Sequence, residues 1–577
     1  MKSFQILIII TLVLCVILLF LEEEETAGPV LSIVIEIINY LILGLVIIET
    51  LSRFLQTKYK ALFFREYLFS FVLLIFYISL FAFFKFQKFI VFPQGTESVA
   101  LFVILIRNSI LTVRLFARIQ KLSRYLERFT ARPALTMLQS FLYVILSGTF
   151  VLMMGFTTQD GNGLHFIDSL FTATSAVCVT GLIVVDTATH FTIWGQLIIL
   201  VLIQIGGLGI MILSFSALFA LRRKVSLEDK LLLSYMLSEE DMSGLSKSLA
   251  NIISLTIILE FAGAVVLFIG FIPRFGLSVQ TAFLAVFHSV SAFCNAGFAL
   301  FSNSLEMFRT DPLIVGTIAV LIILGGISFS VIMNVRDVVF GRLFARFSKT
   351  AKKREQITLN TRVVIRFTLV LLTAGIILVY FLEHGQVMAD YNLGEQYLSA
   401  FFQSVTLRTA GFNTIPFGSL AQGTALFMIV FMFIGAASGG TAGGIKINTF
   451  AVILARLRTF LQGGKKTRMG RYRISDERVS RSFIVLLFGI ASVIAGSFFL
   501  TLFENADFLD ILFEATSAFG TVGLSTGITA ALSVGGKIVI IILMYFGRLG
   551  PITILSAASN TSQNTGIEFP RGDISIG

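Results

Sequence analysis

Four short segments of the chain carry residues whose types and spacing suit the handling of an ion. They are FTATSAVCVTGL (Phe171–Leu182), FHSVSAFCNAGF (Phe287–Phe298), FQSVTLRTAGF (Phe402–Phe412) and FEATSAFGTVGL (Phe513–Leu524). Each opens with an aromatic residue, continues through Ser/Thr and small residues, and ends in Gly-Leu or Gly-Phe; the third is one residue shorter. The shared glycines, Gly181, Gly297, Gly411 and Gly523, stand 116, 114 and 112 residues apart. A cation that sheds its water needs oxygens aimed at it from several sides. Backbone carbonyls supply them without a fixed charge that would trap the ion. Glycine reaches backbone conformations closed to other residues and so lets carbonyls turn inward. The stretches Val177-Cys178-Val179-Thr180-Gly181, Cys294-Asn295-Ala296-Gly297, Arg408-Thr409-Ala410-Gly411 and Gly520-Thr521-Val522-Gly523 can each offer such a strand. The competing reading is that these glycines only permit tight packing. Fourfold recurrence at one position and near-constant spacing argues against it.

The elements that must position these segments are apolar runs on either side. They cover about 135–156 and 190–217, 249–272 and 312–334, 361–384 and 422–450, and 481–503 and 536–557. Each unit thus reads as a spanning helix, a re-entrant segment and a second spanning helix (M1–P–M2). Two crossings per unit give all four the same orientation. Parallel repeats of this kind are related by an axis along the membrane normal. Irregular backbone at membrane depth is tolerated where it is buried or lines a water-filled path.

Composition bounds the class. Of 577 residues, 56% are hydrophobic and 13% charged, with long apolar runs throughout. Such runs span a hydrocarbon core of roughly 30 Å. The expected fold is an all-α polytopic membrane protein with four tandem M1–P–M2 repeats around a central pore, preceded by four extra transmembrane helices. The net charge of +11 sits in particular loops, including Arg222 to Lys224, Arg336 to Arg354 and Arg456 to Arg481. That pattern sets topology and gives no reason to invoke nucleic acid. It places the N-terminus in the cytoplasm. The first apolar run is followed by Glu22 to Glu25 instead of a small-residue cleavage site, so it reads as a spanning helix and not a signal peptide. Cys15, Cys178 and Cys294 form no disulfide framework and no metal-ligand spacing. A phosphate-binding GxxxxGK[ST] loop and an HExxH motif are both missing, so a polytopic enzyme or sensor has little support. His288 replaces Thr172, Gln403 and Glu514 at one position of the re-entrant helices, and reads as a hydrogen-bonding strut.

The VCVTGL, CNAGF, RTAGFNT and GTVGLSTG segments resemble the four filter loops of the Trk/Ktr/HKT superfamily of potassium transporters, over about residues 135 to 577. The resemblance implies a potassium pathway through the four loops in the cell membrane, with K+ as the transported ion. Plant relatives with Ser for the first filter glycine tend to favour sodium. Glycine in all four favours potassium here and weighs against a sodium-permeable relative. The resemblance further implies a homodimer with one pore per protomer, in contact with membrane lipid, and a separate cytosolic nucleotide-binding regulatory subunit similar to TrkA or KtrA. This chain shows no nucleotide site of its own.

The third M2 run is interrupted by Gly435-Ala436-Ala437-Ser438-Gly439-Gly440-Thr441-Ala442-Gly443-Gly444-Ile445-Lys446. Each glycine costs a helix about 1 kcal/mol relative to alanine. A kink at a helix crossing is one reading. The SGGTAGGIK run resembles the family's intramembrane gate loop, which implies that it blocks the pore below the filter. Arg548, inside the fourth M2, costs about 2.5–3.5 kcal/mol at a helix centre and should face a polar interior. It resembles the arginine the family places beside its gate loop; the alternative is an arginine that snorkels or bonds helix-end carbonyls.

The expected division is 1–130 for the leading four-helix module, 131–225 for repeat 1, 226–345 for repeat 2, 346–465 for repeat 3 with the gate loop, and 466–577 for repeat 4 and the tail. In the leading module Arg107, Arg114, Arg118, Lys121, Arg124 and Arg128 fall near one helical face, and Glu49 is a possible countercharge. The arrangement resembles a voltage-sensor module. Only Arg107 and Arg114 lie clearly inside the apolar run, so a working sensor, a static sensor-like module and unrelated packing helices all stay open.

Overall fold

The computed structural model describes residues 133–209, 245–345 and 356–558. Glu49, Arg107, Arg114 and Arg118, with the whole leading module, lie outside the described residues, as do the loop at 222–224 and the tail after 558.

Among the described residues three helices are long and apolar enough to cross a membrane: Leu249–Phe275, Leu359–Glu383 and Asp476–Phe503. They belong to α4 (Leu245–Phe275), α8 (Leu359–Glu383) and α12 (Asp476–Phe503). At 1.5 Å per residue, helices of this kind run roughly 38–46 Å, beyond the roughly 30 Å hydrocarbon core. Their outward faces carry large apolar side chains such as Phe261, Leu369 and Leu487, as a surface against lipid requires. α1 (Pro133–Leu152) stands in the same place before the first segment.

Each of these helices is followed by a short one: α2 (Phe166–Cys178), α5 (Val279–Phe293), α9 (Leu393–Thr406) and α13 (Phe508–Gly520). These are 13 to 15 residues long and reach only about halfway across a bilayer. They are the most deeply buried elements among the described residues. Phe171, Phe287, Phe402 and Phe513, the aromatics that open the four segments, are all fully buried. Side-chain oxygens start two of the four: Ser278 accepts the Thr281 N–H and Asn392 accepts the Glu395 N–H.

The returning helices are α3 (Ile193–Leu208), α6 (Pro312–Gly326), α10 (Gln422–Phe433) and α14 (Val534–Leu549). Thr192, Asp311 and Ser533 cap α3, α6 and α14, and Pro312 occupies the first turn of α6.

The structure corrects the expectation of unbroken second spans. The run 312–334 breaks after Gly326, and α7 (Phe329–Ala345) leaves at 101° to α6. The run 536–557 breaks at Gly550, where φ is +80° and Pro551 starts α15 (Pro551–Ala558). At the first break the helix-end carbonyls of Gly325 and Gly326 accept N–H groups from another segment instead of continuing the helix. In the third unit, α10 ends at Phe433 and α11 begins at Ile447 (Ile447–Leu461), so the glycine run is a loop. The basic stretch after α11 folds into a two-residue antiparallel hairpin, β1 (Arg468–Met469) with β2 (Tyr472–Arg473).

Candidate functional site

At the end of each short helix the chain makes the same turn. Val179, Asn295, Thr409 and Thr521 all have positive φ, between 49° and 68°. Gly181, Gly297, Gly411 and Gly523, two residues later, are positive as well, between 71° and 92°. The first and fourth turns close with matching hydrogen bonds. Thr180 N–H donates to Ser175 O at 2.8 Å and Val522 N–H to Ser517 O at 2.8 Å. Gly181 N–H and Gly523 N–H then donate to the Ser175 and Ser517 hydroxyls, both at 3.1 Å. This is a helix-ending turn of the kind glycine usually supplies. Val179, Thr409 and Thr521 are β-branched, and a left-handed conformation at such a residue costs about 1–3 kcal/mol.

The four glycines meet one another in cyclic order. A Cβ added at Gly181 would strike Ala296 O and Gly297; one at Gly297 would strike Ala410 O and Gly411. One at Gly411 would strike Val522 O and Gly523, and one at Gly523 would strike Thr180 O and Gly181. Segments far apart in sequence therefore close a ring in which each glycine lies beside the carbonyl that precedes the next glycine. No side chain fits between them.

The other expected residues fall around this ring. Val177 and Cys178 form the last turn of α2 and Gly520 ends α13, so they sit on the helical side of the turn. Cys178 and Cys294 are buried free thiols. Cys294 Sγ lies 3.6 Å from Gln204 Oε1 and 3.8 Å from Glu260 Oε1. Arg408 is buried, and its Nε has no hydrogen-bond partner. Asn295, turned about its amide, donates to Ala292 O and Ile322 O.

The glycine loop between α10 and α11 packs against the fourth turn at Gly520 and Thr521. Gly435 N–H donates to Ile445 O at 2.9 Å and closes the loop at its neck. Ala437 N–H and Thr441 N–H donate to Gly326 O and Gly325 O, both at 3.1 Å, and Phe329 N–H donates to Gly439 O at 3.2 Å. The break between α6 and α7 is therefore the docking site of this loop. A Cβ at Gly443 would strike the Thr521 side chain, one at Gly444 the Gly520 backbone, and one at Gly440 the carbonyls of Gly325 and Gly326. Ser438 is half-buried and Gly439 exposed. Lys446 Nζ donates to Ala442 O and, at 3.2 Å, to Gly443 O. Arg548 donates to Thr441 O in the loop and to Gly206 O at the end of α3.

Several contributing residues escaped the sequence reading. Gly206, Gly325 and Gly547 lie where a Cβ would strike the carbonyls of Val177, Phe293 and Phe519, the last turn of three short helices. The Gly206-Gly207 and Gly325-Gly326 doublets, 25 and 28 residues after Gly181 and Gly297, were the available signal. Outside the ring, Asn413 Nδ2 donates to Glu306 Oε1 at 2.8 Å. Burial raises the Glu306 carboxyl above its ordinary pKa, and the Asn413 bond and Arg309 oppose that. Asp168 on α2 pairs with Lys537 on α14 at 2.6 Å, tying the first unit to the fourth. Among the described residues no group of three or more His, Cys, Asp or Glu is placed to hold a metal ion.

Comparison with known proteins places this architecture. The chain is 38% identical over 452 residues to Ktr system potassium uptake protein B of Bacillus subtilis, covering 78% of this chain and 97% of that protein. It is 34% identical over 454 residues to the potassium/sodium uptake protein NtpJ of Enterococcus hirae, covering 77% and 97%. The crystal structure of the potassium transporter TrkH from Vibrio parahaemolyticus superposes with a TM-score of 0.61 at 16% identity, over 86% of this chain and 98% of that one, a likeness of fold. The family model for TrkH, described as a cation transport protein, matches residues 98–565. With four-fifths of its length inside that match, and with membrane-spanning helices around four converging glycine turns, the chain belongs to the TrkH family of cation transport proteins.

Proposed function

We propose that this protein takes up potassium across the cell membrane through a pathway lined by the four glycine-ended turns. In this reading α1–α3, α4–α6, α8–α10 and α12–α14 are four pore-loop repeats. Their backbone carbonyls replace the water around a bare cation. The single observation that carries the reading is the closed ring Gly181–Gly297–Gly411–Gly523, in which each glycine abuts the carbonyl before the next. Backbone oxygens gathered from four sides suit an ion of low charge that must also leave. The names of the relatives support potassium as the cargo, and one of them includes sodium.

The loop 435–446 acts as the gate in this reading. It packs under Gly520 and Thr521, and Arg548 fastens it to α3. A homodimer with a cytosolic nucleotide-binding subunit fits the word "system" in the name of the B. subtilis relative. The basic surface from Arg456 to Arg481 is a candidate place for that subunit to dock.

Reversal potentials in mixed potassium and sodium test the proposal. Wild type should prefer potassium. Gly181→Ser should lose much of that preference, since its side chain meets Ala296 O and its φ of +92° disfavours any L residue. A wild type without potassium preference overturns the reading. Rubidium uptake into proteoliposomes separates transport from any catalytic role.

A further inference from the structure

Each short helix carries a polar side chain at one equivalent position, and in three of the four it bonds the segment that leaves the turn. The four are Thr172, His288, Gln403 and Glu514, equivalent positions one residue after the buried phenylalanines. His288 Nε2 accepts Leu300 N–H at 3.2 Å. Gln403 Nε2 donates to Thr414 Oγ1 at 3.1 Å. Glu514 does more: its Oε1 accepts both Ser525 Oγ and, at 2.5 Å, Thr529 Oγ1. Those two hydroxyls are themselves 2.9 Å apart, and Ser525 Oγ also accepts Gly527 N–H at 2.9 Å. One carboxylate oxygen therefore gathers two points of the exit segment after Gly523, and Ser525 links it to a third, Gly527. For Thr172 no such bond to its exit segment is present.

Glu514 is fully buried, and its second oxygen, Oε2, is buried with no hydrogen-bond partner. A carboxyl group is a costly choice for a strut in such a place, where a buried polar atom without a partner is itself unfavourable. The neutral strut at Gln403 shows that the position accepts an amide in another unit.

We infer that Glu514 is a positioning residue that fixes the exit of the fourth filter segment through Ser525 and Thr529, and that this tether sets discrimination between potassium and sodium. The inference rests on the reading of the four turns as a filter. A ring of carbonyls discriminates by the number and placement of its oxygens, so a wall free to shift accommodates the wrong ion. The fourth wall is tied most tightly. It also meets the glycine loop, through Gly520 and Thr521.

The test compares permeability ratios from reversal potentials with the amount of inserted protein, in the full-length chain. Glu514→Ala should lower the potassium-to-sodium ratio by about tenfold. Glu514→Gln, whose amide oxygen can still accept both hydroxyls, should keep most of it. Ser525→Ala with Thr529→Val, which leaves the glutamate in place, should reproduce the alanine phenotype; adding Glu514→Ala to that pair should lower the ratio no further. A merely structural role would reduce both ions' currents with the protein yield and leave the ratio unchanged. That result in Glu514→Ala, or in the Ser525/Thr529 pair if the alanine variant fails to insert, overturns the inference. A wild type with no potassium preference would instead overturn the filter reading beneath it.

Discussion

At the residue scale the ring leaves no room for a single carbon. Gly523 shows this most plainly, because a Cβ there collides with the Thr180 carbonyl while the backbone sits at φ +89°. That contact is with backbone and not with a flexible side-chain tip that could swing away. Gly523→Ala should therefore insert in the membrane yet lose rubidium uptake by about a hundredfold, the scale of effect that a 1 Å displacement has on a positioned site. Uptake within a few-fold of wild type would mean that the ring opens further in use than its geometry suggests. The ring glycines were legible from sequence because they recur at near-equal spacing. The strained residues two places earlier were not: Val179, Thr409 and Thr521 are ordinary strand-favouring residues, and nothing in their type announces a left-handed backbone. That conformation is imposed by the helix-ending turn and by the ring.

At the element scale, local patterning located the helices well and their breaks poorly. The apolar run from Pro312 onward reads as continuous because apolar residues carry on past Gly326 as far as Met333. The break exists because the carbonyls of Gly325 and Gly326 accept the glycine loop, a partner more than a hundred residues away. The loop itself was legible, since so many glycines within about three turns oppose a helix. Arg548 bonds Thr441 O in the loop on one side and Gly206 O on the other, so in the proposed reading it fastens the gate. Hydrogen bonds to a charged group contribute about 1.5–3 kcal/mol each. Arg548→Ala should shift the closed-to-open balance toward open by about tenfold, a change worth 1.4 kcal/mol and thus less than one such bond. Single-channel or flux records at rest would show it as a raised leak, with the potassium-to-sodium ratio unchanged because the ring is untouched. An unchanged leak would place the barrier elsewhere than in this loop.

At the scale of the whole molecule, the ring and the glycine loop are assembled entirely from residues between Phe166 and Leu549. The B. subtilis relative matches over 97% of its own length yet takes up only 78% of this chain. That match leaves about a fifth of this chain outside it, and none of the ring glycines or loop residues comes from the leading 130 residues. Removing residues 1–130 should leave the potassium-to-sodium ratio as in the full chain, read from reversal potentials in planar bilayers. The same records decide what the leading segment is for. If Arg107 and Arg114 both cross the full membrane field, a 100 mV step supplies about 4.6 kcal/mol, enough to change an opening equilibrium more than a thousandfold. Conductance would then rise steeply with voltage in the full chain and lie flat in the truncated one. Superimposable curves would remove voltage sensing and leave packing or partner contact as the role of those residues. A changed ion ratio would be the more serious outcome, since it would mean that the leading segment shapes the pathway that the ring has been taken to form alone.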